Sequence, residues 1–284
     1  MSNYSSRKLK DMLAYGIGAF CVVIAMLPLA SILFEVIRNG ISAINVHFLT
    51  SPTGNISSFS SGIGNAIQGT VILIGLSSLI AVPVGLLSGI YLAEFGNNRL
   101  GRIIRFLNDV LTGFPSIVVG ILAYSIVVLS IGFSALAGAF ALSIMMLPIV
   151  TRTAEESLKL VPSSIRDAAM ALGIRRWRTS LSIVLVTAKD GVITGILLGI
   201  ARIAGETAPL LLTILGSDFF FSSFNQPMDA LPLRIWKDYL FSNYPAAQEQ
   251  GWGTALVLIT LVLGLNVVVR LATRGRSSFG RART

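Results

Sequence analysis

Charge is what this chain has least of: 12% of its 284 residues are Asp, Glu, Lys or Arg, about half the share usual in a soluble domain. With 54% hydrophobic residues beside it, that scarcity excludes a water-soluble globular enzyme, whose apolar surface would have nothing to cover it. Cysteine is a single residue, Cys21, inside an apolar run, so no intramolecular disulfide can form. Histidine is likewise single, His47, which rules out a His-based metal centre. Lysine is scarce too. None of Lys8, Lys10, Lys159, Lys189 and Lys237 follows a glycine or precedes Ser or Thr. A phosphate-binding loop of the GKS/GKT type is therefore missing, and the chain cannot hydrolyse ATP by that route.

What is present is apolar and long. Mean hydropathy is +0.78, and a span needs about 20 residues, so this length allows around six spans and no large extramembrane domain. Six stretches fit: Leu13–Val36, Ile63–Phe95, Leu107–Ile131, Ser134–Val150, Gly191–Leu215 and Gly253–Leu271. The third and fourth are joined by a tight hairpin around Gly132, and Pro148 is expected to end the return helix. The first stretch is longer than a signal-peptide core and lacks an A-x-A site, so it is taken as a retained span.

Lys and Arg set the orientation. Segments 1–12, 96–106, 151–190 and 270–284 hold eighteen of them, while the alternate segments hold Arg38, Arg234 and Lys237. The positive-inside rule then puts both termini in the cytoplasm. The net charge of +9 is no nucleic-acid footprint, because the bases are scattered over helix ends instead of forming one face.

The one long basic segment, 151–190, contains a short helix that starts at Pro162 and stops at Gly173. Ile165, Ala168, Ala169 and Leu172 form its apolar stripe. A second amphipathic piece, Arg175–Leu185, follows. The pattern suits a docking surface and equally suits two helices lying among headgroups with Arg and Trp as anchors. Outside, residues 216–252 carry Phe219, Phe220, Phe221, Trp236 and Tyr239, which fit either an interfacial helix or a contact with a substrate-delivering protein. Glu94 and Arg99 read as interfacial helix-end charges.

Arg202 and Glu206 sit inside the fifth apolar run, where each charge costs about 2.5–3.5 kcal/mol without a polar partner or a wet cavity. At about 100° per residue, Gly191, Gly195, Gly199, Arg202, Glu206, Pro209 and Thr213 all share one helix face. The three glycines make a small-xxx-small packing surface. The charges therefore point toward protein or a cavity. Two roles remain open: a self-neutralising structural pair, or an arginine that meets an oxyanion while Glu206 holds it in place.

The run Asp167-Ala168-Ala169-Met170-Ala171-Leu172-Gly173, continuing to Ile183-Val184-Leu185, resembles the EAA loop of ABC-importer permeases. It departs in having Asp167 for Glu, and Val186 where the family has Pro. Arg202-Ile203-Ala204-Gly205-Glu206-Thr207-Ala208-Pro209-Leu210-Leu211 resembles the signature of phosphate-importer permeases of the A type. Gly69-Thr70, Pro83-Val84-Gly85, Tyr91-Leu92-Ala93-Glu94 and Pro115-Ser116-Ile117-Val118-Val119-Gly120 follow in family order.

The resemblance covers residues 63–272 and implies an all-α integral membrane protein of six helices with the type I permease fold. It divides the chain into an N-terminal tail, first helix and outer loop (1–62), a permease domain (63–272, EAA-like loop 162–186) and a basic tail (273–284). It implies that Asp167, Ala168, Ala169, Leu172 and Gly173 couple to an ATPase, and that Arg202, Glu206 and Thr207 line the substrate pathway. The implied partners are a homologous C-type permease subunit, an ATPase dimer holding ATP and Mg, and an extracytoplasmic phosphate-binding protein. The chain would bind no cofactor itself and would lie in the cell (inner) membrane. A permease for another oxyanion, or an ion-coupled transporter acting without an ATPase, are the rival expectations.

Overall fold

The structure, a computed structural model, describes residues 2–54 and 61–274; the rest of the expected basic tail lies outside the described residues. The long elements are α1 (Ser2–Gly40), α2 (Gly64–Glu94), α3 (Arg99–Gly113), α4 (Ser116–Ile131), α5 (Ala135–Lys159), α6 (Ser163–Ala171), α7 (Arg176–Thr187), α8 (Lys189–Ala204), α9 (Leu231–Leu240) and α10 (Pro245–Arg274). No strand forms among the described residues; one isolated bridge joins Leu215 to Met228. The described residues form an all-α fold. Among the described residues four helices are long and apolar enough to cross a bilayer, and two bent pairs bring the number to as many as six.

Helix starts follow local chemistry. Asn98 accepts from Gly101 N to cap α3, and Ser134 accepts from Ala137 N to cap α5. Gly132, at φ +85°, turns the chain between α4 and α5 in the left-handed region that suits glycine.

α5 is the central helix. Over its most apolar window 61% is buried, against 0% for α1 and 6% for α10, which are peripheral. Small residues let neighbours close in on it. Ala135, Ala137, Ala139 and Ala141 are fully buried, and Gly85 and Gly89 of α2 lie against Val150 and Ala154. Leu73, Leu142, Met146, Val150, Ile203, Leu210 and Ile214 complete the main core.

Several expected boundaries need correction. The third stretch, 107–131, is two helices: α3 and α4 meet at 105° across Phe114-Pro115, because Pro115 has no amide to continue the ladder and restricts Phe114 to extended geometry. Pro148 does not end the fourth helix, which runs through it to Lys159; Asn108 Nδ2 donates to the Pro148 carbonyl at 3.2 Å and ties α3 to α5 there. The fifth helix stops at Ala204, well short of Leu215. α7 and α8 meet at 75° across Ala188, with Val186 standing where the family has Pro.

Candidate functional site: a charged helix break and a basic loop

α8 lies against α5 through its glycines. Gly191 faces Ser157, Gly195 faces Thr153, and Gly199 faces Met146 and Val150. A Cβ at Gly199 would stand 3.0 Å from Met146 Cγ, so a side chain there makes Met146 give way.

Two turns further on, the regular helix fails. Gly205 has poor helix propensity, and Pro209 offers no amide to the Gly205 carbonyl, so α8 ends at Ala204. The chain passes through Glu206 and Thr207 and makes a single turn, Ala208–Leu211. The uniform face expected from Gly191 to Thr213 is therefore broken. Pro209 is buried over Gly120 of α4, and Thr213 Oγ1 donates to the Pro209 carbonyl at 2.8 Å.

Arg202 and Glu206 still meet, across the break: Nη2 and Oε1 are 3.1 Å apart. The pair is lopsided. The Arg202 side chain is 56% exposed while that of Glu206 is 12% exposed. One edge of the guanidinium faces the carboxylate while the side chain stays more than half exposed, an arrangement that can add donors to an anion. Thr207 is half-buried beside them.

At the basic end, α6 and the turn after it hold the EAA-like residues. Gly173 stands at φ +76°. Its amide donates to Met170 O, and Ile174 N donates to Ala169 O, the paired bonds of a Schellman stop. Ala169 is buried and Ile165 packs against Ile90, Leu158 and Val184. Asp167 and Ala168 face outward, and Leu172 is 81% exposed. The apolar stripe is thus split between an anchored edge and an open one.

The anchor is Glu94, which its place at a helix end marks as interfacial. Glu94, at the last turn of α2, is buried, and Arg166 of α6 donates to its Oε1 from Nε at 2.9 Å and Nη2 at 2.8 Å. Arg166 also donates to the carbonyls of Val161 (2.6 Å) and Leu158 (2.8 Å). Arg176 donates to the Glu94 carbonyl and stacks over Phe95, 4.9 Å from the ring centroid. A second clamp joins α3, α2 and α5: Arg105 donates to Glu155 at 2.8 Å and to the carbonyls of Leu92 and Gly96. The available signal was a lone acid closing an apolar run, which must find a cation or stay wet.

At the opposite end, α9 carries charges that are fully buried. Arg234 Nε is 3.1 Å from Asp238 Oδ1, and Arg234 Nη2 donates to Gln250 Oε1 at 3.0 Å. Asp229 accepts from Ala230 N and stands 3.9 Å from Lys237 Nζ. Burial pushes the Asp238 carboxyl up to about 7, against the pull of Arg234. Asp229 is raised too, again by burial, with Lys237 opposing.

With this geometry in view, residues 81–276 match the family described as binding-protein-dependent transport system inner membrane component. The chain belongs to that family. It is 40% identical to the phosphate transport system permease protein PstA of Haemophilus influenzae over 93% of this chain and 94% of that one. It is also 40% identical to the Yersinia pestis protein of the same name, covering 93% and 90%, and 37% identical to PstA 1 of Mycobacterium tuberculosis strain H37Rv, covering 95% and 91%. Two solved structures share the fold. One is the inward-facing MetNI methionine ABC transporter (TM-score 0.60, 17% identity, 75% of this chain and 94% of that one). The other is a bacterial transporter importing the acidic polysaccharide alginate (TM-score 0.61, 15% identity, 92% and 96%).

Proposed function

We propose that the chain is the A-type permease subunit of an ATP-driven phosphate importer, pairing with a homologous C-type subunit to enclose the phosphate path. The Lys and Arg bias supports a basic end facing the cytoplasm, with both termini on that side of the inner membrane. An ATPase dimer holding ATP and Mg docks on the open edge of α6, and an extracytoplasmic binding protein delivers phosphate at the other end. The observation that carries this reading is Arg202, paired on one edge by Glu206 and open on the other, in a chain whose similarity to phosphate permeases runs through nearly its whole length. ATP closing the ATPase dimer moves α6, and the motion passes into α2 through Arg166 and Glu94. The half-neutralised arginine then meets phosphate weakly enough to let it go.

The test is phosphate uptake per assembled complex in wild type, Arg202→Gln, Glu206→Gln and the double variant. If Arg202 meets phosphate, the double variant assembles and still transports poorly. Wild-type uptake in the double variant reduces the pair to a structural salt bridge and overturns the pathway role.

A further inference from the structure

α9 lies in the segment between the fifth and sixth spans, outside every candidate span, yet it buries the charged Arg234 and Asp238 as completely as Leu231 and Leu233 and leaves its aromatic side out. A helix on a water-facing surface buries its apolar stripe and shows its charges. Here Arg234 and Asp238 are each 1% exposed, and Lys237 is turned in over Gly216 toward Asp229. The side chains that face outward are Trp236, Tyr239 and Leu240, at 38%, 74% and 53% exposure. The apolar face continues past the helix end with exposed Phe241 and Tyr244. Such polarity is stable where the surroundings are less polar than the protein interior, as when ionisable residues of a membrane helix turn inward and pair.

Its position agrees. Leu231 N donates to Thr70 Oγ1 in the second turn of α2, and Arg234 reaches Gln250 in the second turn of α10. α9 therefore sits level with the first turns of two spans, at the end away from the basic loops. Ten residues make a helix of about 15 Å, too short to cross. Tyr and Trp beside Leu match the aromatic belt at a membrane boundary. A soluble partner that docks and leaves would return this face to water in every cycle, whereas lipid covers it throughout.

We propose that α9 is a membrane-embedded interfacial helix whose Trp236–Tyr239–Leu240 face is seated among the phospholipid acyl chains of the adjoining leaflet. This is independent of which solute the permease carries.

The experiment places a nitroxide label at Tyr239→Cys and, separately, at Leu240→Cys. The host is the assembled transporter in phospholipid vesicles, freed of other cysteines, with Cys21→Ala in this chain. Asn225→Cys, in the exposed loop, is the aqueous reference. Collision with oxygen, which prefers lipid, is compared with collision with a water-soluble nickel chelate. Seating in lipid gives an oxygen-to-nickel ratio several-fold above the reference at both positions, unchanged when the binding protein is added. A ratio equal to the reference that falls on adding binding protein makes the face a protein-docking surface and overturns the proposal. Low collision with both reagents, the mark of a protein–protein contact, overturns it as well.

Discussion

The Glu94–Arg166 pair makes a quantitative prediction because its two halves are unequally supported. Removing Arg166 as Arg166→Gln strands a carboxylate that is 4% exposed, with Ser180 Oγ at 3.4 Å as its remaining side-chain donor. An uncompensated buried charge of this kind costs about 3–5 kcal/mol. Removing the acid as Glu94→Gln leaves Arg166 with two carbonyl acceptors, at Val161 and Leu158, and a side chain 20% exposed to solvent. The loss is then that of hydrogen bonds to a charged group, about 1.5–3 kcal/mol. Both land on the same local event, release of α6 from the end of α2. Hydrogen exchange of residues 163–185 in the assembled transporter should accelerate by roughly a hundredfold or more in Arg166→Gln, and by about ten- to a hundredfold in Glu94→Gln, at about 1.4 kcal/mol per decade. The double variant should exchange more slowly than Arg166→Gln alone, since no charge is left unpaired. Equal single effects, or simple additivity, would refute the idea that this pair anchors the loop.

Three further outcomes are expected. Gly173→Val, forced to hold φ +76°, should loosen the α6 stop by about 1–2 kcal/mol and reduce ATPase co-purification and uptake together, with Gly173→Asn much milder; full co-purification and uptake in the Val variant would remove the conformational argument. Gly195→Ala should lower the melting temperature of the purified complex, because its Cβ meets the Thr153 side chain, and Thr153→Ala added to it should restore only part of the loss, since it removes Oγ1 and Cγ2 but leaves the Thr153 Cβ 2.5 Å away; full rescue, or none, would mean that the close approach is not at Thr153. For α9 the sign follows from the raised Asp238, which faces Arg234, Lys237 and Asp229: a carboxyl that holds its proton more tightly when folded makes docking of α9 firmest at about pH 4, progressively weaker up to about pH 7, and level above that. Exchange at 231–240 followed against pH should show that slope, and Asp238→Asn should flatten it.

The sequence made legible whatever depends on composition or local spacing. The apolar runs, the charge bias and the stop at Gly173 need no partner to be recognised, since each is decided within a few residues. What escaped depends on distant partners or on a change of local geometry. Glu94 meets Arg166 72 positions away, so its burial could not be read from its place at a helix end. The 100° wheel holds for Gly191, Gly195 and Gly199, because α8 is regular there, and fails at Pro209 because the backbone has left the helix. Likewise α3 and α4 read as one run because hydropathy averages over Pro115. The orientation of α9 was ambiguous for a different reason. Periodicity finds an apolar face and a charged one, but it cannot say which is inside until the medium outside is known.

That break after Ala204 also fixes what Arg202 must do if the path carries an anion. Arg202 stands in the last turn of α8, where the terminal carbonyls present partial negative charge. Glu206 adds a full one at 3.1 Å. Without the guanidinium, the end of α8 would repel phosphate twice over; with it, the local charge is close to balanced. The site is then hospitable without being sticky, as conduction requires. The same argument separates the two single variants in the uptake assay. Arg202→Gln should abolish transport by restoring the repulsive end. Glu206→Gln removes the tempering charge, so phosphate should be held more tightly and released more slowly, giving a lower maximal rate with a KM that falls. A Glu206→Gln variant with raised KM would mean that the carboxylate positions Arg202 for phosphate without moderating its grip.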